Sequence, residues 1–348
     1  KRAYHQILAE YYEAKATGKK NFAYLPMTIH HYEKCHNLVK VYQYKIAYLK
    51  EYYTIVNENF PVLHWEMEYG DDNQELSFQA DEILRLAEEV IRFEGDSHQL
   101  QEMKMEMYYV KGRFDIAIGE YETGLANIKA SEAIAETLND NKARLNNYKQ
   151  MIFYGIQIEN LLLVKKYVKE GMKLIDETDT DEKGIFMRLK GWYLLHEGRY
   201  EEARALLTQA REFFENRDGG SGQYAMNIAA CYNYIGDVCR EMKEYQSALS
   251  YYKIAIEKGT EKVVTNGLGQ FYSNVGQIYY FMEKNTEARN GYYWGLERAE
   301  AYMALVLLRF SEKDQAKKHY KKAVSLTEKM NNPTTVSVIR QISKEAGF

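Results

Sequence analysis

The sequence predicts an all-α chain built from antiparallel helix pairs stacked side by side. Three observations carry this. Only three prolines, Pro26, Pro61 and Pro333, occur in 348 residues, and a helical chain needs that scarcity because an interior proline costs about 3 kcal/mol. Apolar residues recur at helical spacing, as in the opening stretch RAYHQILAEYYEA. Small residues return at long, similar intervals: Ala117, Val164, Ala203, Ala248, Ala288 and Ala316 are separated by 47, 39, 45, 40 and 28 positions. A helix pair of this size cannot bury its apolar face alone, so each pair needs neighbours.

The pattern is clearest in CYNYIGDVCREMKEYQSALSYYKIA, residues 231–255. Its Tyr232, Ile235 and Gly236, followed by Tyr245, Ala248, Tyr252 and Ala255, resemble a tetratricopeptide repeat, a helix-turn-helix unit. FYSNVGQIYYFMEKNTEARNGYY, residues 271–293, repeats the motif. The resemblance implies a right-handed superhelical solenoid of antiparallel helix pairs. Gly236 and Ala248 would let the paired helices approach, with Tyr252 filling the groove beside them.

Taken in order, residues 1–72 read as an N-terminal helical region. An amphipathic helix stops at KATGKKN, and a helix pair turns near His36 and Asn37. Leu38 and Val41 stand where Tyr245 and Ala248 stand in the best repeat, which makes this a degenerate first repeat. ENFPVLHWEMEYGDDNQE, residues 58–75, carries Pro61, Gly70 and paired acids and reads as the connection into the array. The array itself spans residues 73–332. Gly112, Phe114, Ala117, Tyr121 and Gly124 mark one unit; Tyr148, Val164, Val168 and Gly171 a weaker one; Gly191, Gly198, Tyr200, Ala203 and Ala210 the next. After the Gly236 unit come Tyr272, Gly276, Tyr279, Ala288, Tyr292 and Gly295, then Ala316, Tyr320 and Ala323. The plain repeat is about 34 residues, so most units are lengthened, with connections such as DETDTDEKG (176–184) and NRDGGSGQ (216–223). The last interval is too short for two helices and two turns. It predicts either residues missing near Leu296 to Glu300 or a fusion of the two helices. Residues 333–348 read as a capping helix begun by an Asn-Pro-Thr turn.

Composition excludes several function classes. A net charge of −4 and a pI near 6.2 give no basic field, so no direct nucleic-acid contact is expected. Cys35, Cys231 and Cys239 are too few and too irregular for a disulfide framework and point to a reducing, cytoplasmic setting. The longest apolar run, around Tyr302 to Leu308, is far short of a membrane span. His30, His31, Cys35 and His36 have no second cluster to complete a metal site and read as helix-turn residues. The run Gly219-Gly220-Ser221-Gly222 follows a helix, lacks the phosphate-loop lysine and reads as a flexible connection. Asp71-Asp72 and the acids of DETDTDEKG lack the spacing of a calcium loop. No Ser-His-Asp, Cys-His or paired-carboxylate arrangement stands out. The chain is read as non-catalytic, with no cofactor and no metal.

Recognition is then expected on the inner helices. The lengthened repeats resemble the helical-repeat regulators of Gram-positive bacteria, which bind short signalling peptides or partner proteins in a concave groove. The N-terminal region, however, does not read as the separate three-helix bundle that the phosphatase-type members use. YEKCHNLVKVYQYKIAYLKEYY, residues 32–53, resembles the start of the repeat array in large bacterial signalling ATPases. On that alternative the chain is the regulatory region of an ATPase or nucleotide cyclase whose catalytic domain lies outside these residues. In a tetratricopeptide unit the inward positions of the first helix are the second, fifth, ninth and twelfth. With Gly236 as the eighth, they place Asn233, Asp237 and Arg240 in the groove, with Ser273, Gln277 and Tyr280 from the next unit. Arg188 and Trp192 come from the Gly191 unit, and Lys149 and Phe153 from the one before. Asn and Gln side chains can bond a peptide backbone in both senses, and Trp192 and Tyr280 supply apolar anchors. A protein or peptide segment is the expected partner.

Overall fold

The computed structural model describes residues 1–16, 24–56, 80–94, 97–175, 181–261, 268–309, 312–330 and positions 339, 343 and 344. Among these residues there are helices and turns and no strand, so the chain is all-α. In order the helices are α1 (Arg2–Ala16), α2 (Leu25–Cys35), α3 (Leu38–Val56), α4 (Ala80–Glu94), α5 (His98–Ile118), α6 (Tyr121–Thr137), α7 (Asn141–Gln157) and α8 (Leu161–Leu174). They continue as α9 (Asp181–His196), α10 (Tyr200–Asp218), α11 (Ala225–Glu241), α12 (Tyr245–Glu261), α13 (Leu268–Phe281), α14 (Asn285–Arg309) and α15 (Lys313–Met330). Two compact units divide them: α1 to α8 in the first, α9 to α15 in the second.

Local chemistry sets where the helices begin. Ser97, Asp140 and Asn160 each accept a hydrogen bond from a backbone N–H three residues on, at 3.3, 2.9 and 3.0 Å. These side chains satisfy donors that the first turn leaves orphaned. Pro26 sits in the first turn of α2, where its missing N–H costs nothing. Turns between successive helices, most of them inside the pairs and the Asn139 turn between two pairs, also share one device. His36, Gly119, Asn139, Glu159, Gly198, Lys243 and Glu283 all have φ between 54° and 92°, and two back-bonds close over each. At Lys243 these run from Lys243 N to Arg240 O (2.9 Å) and from Glu244 N to Cys239 O (2.8 Å).

Small residues then let paired helices meet. Val164, Ala203, Ala248 and Ala316 are wholly buried. A Cβ added to Gly236 would lie 2.7 Å from the Tyr252 ring, and one on Gly291 would lie 2.6 Å from the Cα of Gly276. The side chains of Ala117 and Ala288 lie outside the described residues. In the first unit α1 packs on α2, α2 on α3, and α3 on both α4 and α5, so the N-terminal helices run on into the pairs α5–α6 and α7–α8. In the second unit consecutive helices pack in turn from α9 to α15, and α9 also touches α11 directly.

The 28-position interval is met by fusion: α14 is one helix of 25 residues, Asn285–Arg309. The run Gly219 to Gly222, read as flexible, is a tied turn in which the Asp218 carboxylate accepts from Gly222 N (2.9 Å) and Tyr224 N (2.8 Å). Asp181 to Gly184, read as connection, form the first turn of α9. The expected connection 58–75 and nearly all of the expected capping helix 333–348 lie outside the described residues.

Candidate functional site

The first helices of the second unit, α9, α11 and α13, carry eight of the ten expected groove residues. Their packing dictates which side chains meet. Gly236 brings α12 against α11, and the Tyr252 hydroxyl thereby reaches Asp237, donating to Oδ1 at 2.7 Å. Asn233, one turn earlier on α11, donates to the other carboxylate oxygen at 3.2 Å. Arg240, one turn later, pairs with Asp237 at 3.0 Å and with Glu241. Asp237 is thus the node of the cluster.

Two bonds carry the cluster across to α13. Arg240 Nη1 donates to Gln277 Oε1 at 3.1 Å, and Asn274 Nδ2 donates to Asn233 Oδ1 at 2.9 Å. Gln270 closes the far end by donating to Asn274 Oδ1 at 2.9 Å. Amides suit this position because each presents a donor and an acceptor, so a chain of them can be satisfied internally and still offer a group to a ligand. Burial pushes the Asp237 carboxyl up to about 6, with Arg240, the Tyr252 hydrogen bond and nearby His196 working in the opposite direction. The Tyr252 hydroxyl is likewise pushed up by burial and then by the Asp237 charge.

The remaining expected residues fall in different surroundings. Arg188 is 0 % exposed and hydrogen-bonds Tyr234. Trp192 is half-buried and stacks on His196, with ring centroids 3.9 Å apart. Ser273 faces its own partner helix: a Cβ on Gly295 would lie 2.7 Å from its Oγ. Tyr280 is 61 % exposed, beside exposed Phe281, whose ring stacks on Tyr245. Lys149 and Phe153 are buried on α7, in the first unit. The structure thus brings Asn233, Asp237, Arg240 and Gln277 into one bonded group.

Four residues of that neighbourhood escaped the positional count. Gln270, Asn274 and Tyr252 belong to the bonded chain, and Asn227 is 1 % exposed with a side-chain oxygen that has no hydrogen-bond partner among the described residues. The positional count could not have found Asn227, which stands six positions before Asn233 and so lies off its face of α11. Among the described residues, no group of three or more His, Cys, Asp or Glu is placed to hold a metal ion. None of the described helices is long and apolar enough to cross a membrane.

Comparison with known proteins agrees with this architecture. Residues 186–261 match the tetratricopeptide repeat family, so α9 to α12 are tetratricopeptide repeats. No protein with a curated description matches the sequence. Among solved structures, a Rap protein complexed with competence and sporulation factor superposes with a TM-score of 0.59 at 12 % identity, covering 100 % of this chain and 99 % of that one. The apo form of RapI gives a TM-score of 0.53 at 13 % identity, covering 98 % and 97 %. Aspartyl phosphate phosphatase F from Bacillus subtilis gives 0.51 at 13 % identity, covering 94 % of each chain. At these identities the likeness is one of fold.

Proposed function

We propose that this chain is a non-catalytic docking module of a bacterial signalling regulator, cytoplasmic in setting, and that it holds an extended peptide or protein segment against α9, α11 and α13. The observation that carries this reading is the bonded chain Gln270–Asn274–Asn233–Asp237–Arg240–Gln277, which spans two successive repeats. An extended backbone offers alternating donors and acceptors, and a row of amides held in place by its own bonds meets them with little further ordering cost. Trp192 and Tyr280 flank the row with aromatic surface, the residue class that anchors most interfaces. A Rap protein of similar fold has been crystallised in complex with competence and sporulation factor, which supports a ligand-holding role for such an array.

The test is a displayed library of random linear peptides selected on the intact chain. Selected peptides should lose at least about tenfold in affinity when Trp192, Gln277 and Tyr280 are changed together to Ala, since each tenfold is only about 1.4 kcal/mol. These positions are half-buried or exposed, so the variant keeps its core. Undiminished binding, or a selection that returns no linear peptide, would remove the groove assignment.

A further inference from the structure

At the other end of the chain, α1 and α2 meet through imidazoles rather than through apolar side chains alone. His5 Nδ1 on α1 lies 3.0 Å from His31 Nδ1 on α2. The His30 ring stands edge-on to both, at centroid distances of 5.1 Å from His31 and 6.4 Å from His5. Tyr12 of α1 lies flat on His31 at 5.6 Å and Tyr4 stands against His5 at 5.8 Å. Among the described residues, no carboxylate is bonded to any of the three rings. Glu10 is taken by Gln6, and Glu13 by Lys40, Tyr32 and Tyr44.

A hydrogen bond between two ring nitrogens needs one that bears hydrogen and one that is bare. The pair therefore tolerates one imidazolium but not two. We propose that α1 is an acid-released latch, in which protonation of both His5 and His31, with His30 alongside, breaks their contact and frees the N-terminal half of α1 from α2.

The surroundings set the sign. Burial, then His30 and His5, hold the His31 imidazole below its ordinary value. A histidine whose folded value is lowered adds nothing above its unfolded value of about 6.5, and its folded state loses ground as pH falls below that. The charged groups nearby on α1, α2 and α3 do not offset this, and Glu33 of α2 is taken by Lys45 of α3 at 2.8 Å. Lys40 of α3 pairs with Glu13 at 2.7 Å, and Arg2 of α1 bonds the Cys35 carbonyl. The Glu13 hub holds the C-terminal half of α1 by different chemistry. Burial opposes its ionisation, but bonds from Lys40, Tyr32 and Tyr44 prevail and keep the carboxyl below its ordinary range. That half stays attached until the medium is far more acidic, so release starts at the His5 end.

The experiment is amide hydrogen exchange on the intact chain, corrected for intrinsic rates, at about pH 7.5 and about pH 5. Protection of residues 4–9 should fall about tenfold for each pH unit over which the folded pair excludes a proton, while α11 keeps its protection. In a His5→Gln, His31→Gln variant that selective fall should vanish. An equal fall in wild type and variant, or no fall in wild type, overturns the latch. Should the variant not fold, NMR titration of the wild-type imidazoles decides, since a His31 that takes its proton at or above about pH 6.5 also overturns it.

Discussion

Asp237 is the residue where burial and charge compete most openly. Its carboxyl is pushed from 3.8 to about 6 by burial, in spite of Arg240. The folded chain thus binds that proton more tightly than the unfolded chain, so the contribution to stability is complete below the unfolded value and is lost as pH rises through about 6. Asp237→Asn keeps the shape and removes the titration. Wild type should lose on the order of 2 kcal/mol relative to this variant between about pH 4 and about pH 6.5, read from urea unfolding at each pH; a pH-independent difference would contradict it. Gly236 gives a steric counterpart. The ring that a Cβ would strike belongs to buried, hydrogen-bonded Tyr252, which has nowhere to move, so Gly236→Ala should cost about 1–3 kcal/mol in the same assay. At this scale the sequence was legible wherever spacing along one helix decides the outcome. Val164, Ala203, Ala248 and Ala316 are buried as expected because small size at a crossing is a local requirement. The bonds among Tyr252, Asp237 and Asn274 depend on register between helices, which no single-helix count contains. For the same reason Arg188, counted inward, lies wholly buried, and Ser273 turns toward Gly295.

Helix pairs are closed by turns whose middle residue is left-handed, and the sequence fills that position unevenly. Gly198 has φ 77° and open space around it, so its glycine serves backbone conformation alone. Lys243 and Glu283 hold the same conformation at φ 61° with a full side chain. An L-residue pays on the order of 1 kcal/mol there. Lys243→Gly should therefore stabilise the second unit by about 0.5–1 kcal/mol, and Gly198→Ala should destabilise it by a similar amount. Chemical denaturation of the two variants checks both signs, and a Lys243→Gly chain no more stable than wild type would mean that the lysine stem makes up the strain. The turn near His36 and Asn37 was expected from the sequence, whereas the Lys243 and Glu283 turns carry no glycine to announce them. The fused α14 was readable only as one branch of an alternative, because an interval of 28 positions fixes how much chain is available and not how it is folded.

Stacked pairs make stability local in a way that a single globular core does not, since each pair touches its neighbours and little else. Within the second unit consecutive helices pack in turn from α9 to α15, and α11 also meets α9 by packing and α13 through side-chain bonds. Gly291→Val tests what that order implies. The added side chain meets the backbone of Gly276, at 2.6 Å from its Cα, and backbone cannot rotate aside as a flexible side chain can. The α13–α14 pair must open, and with it goes the support for α15 on one side and α12 on the other. Hydrogen exchange on this variant should show protection lost first in α13, α14 and α15, partly in α12, and kept in α5 to α8. The bridges Arg240–Gln277 and Asn233–Asn274 run from α11 to α13, so any affinity for a linear peptide should fall with the same variant although residue 291 lies outside the groove row. Uniform loss of protection in all helices would argue for one cooperative core. Intact peptide affinity in a chain with α13 opened would argue that the α11–α13 row does not form the binding surface.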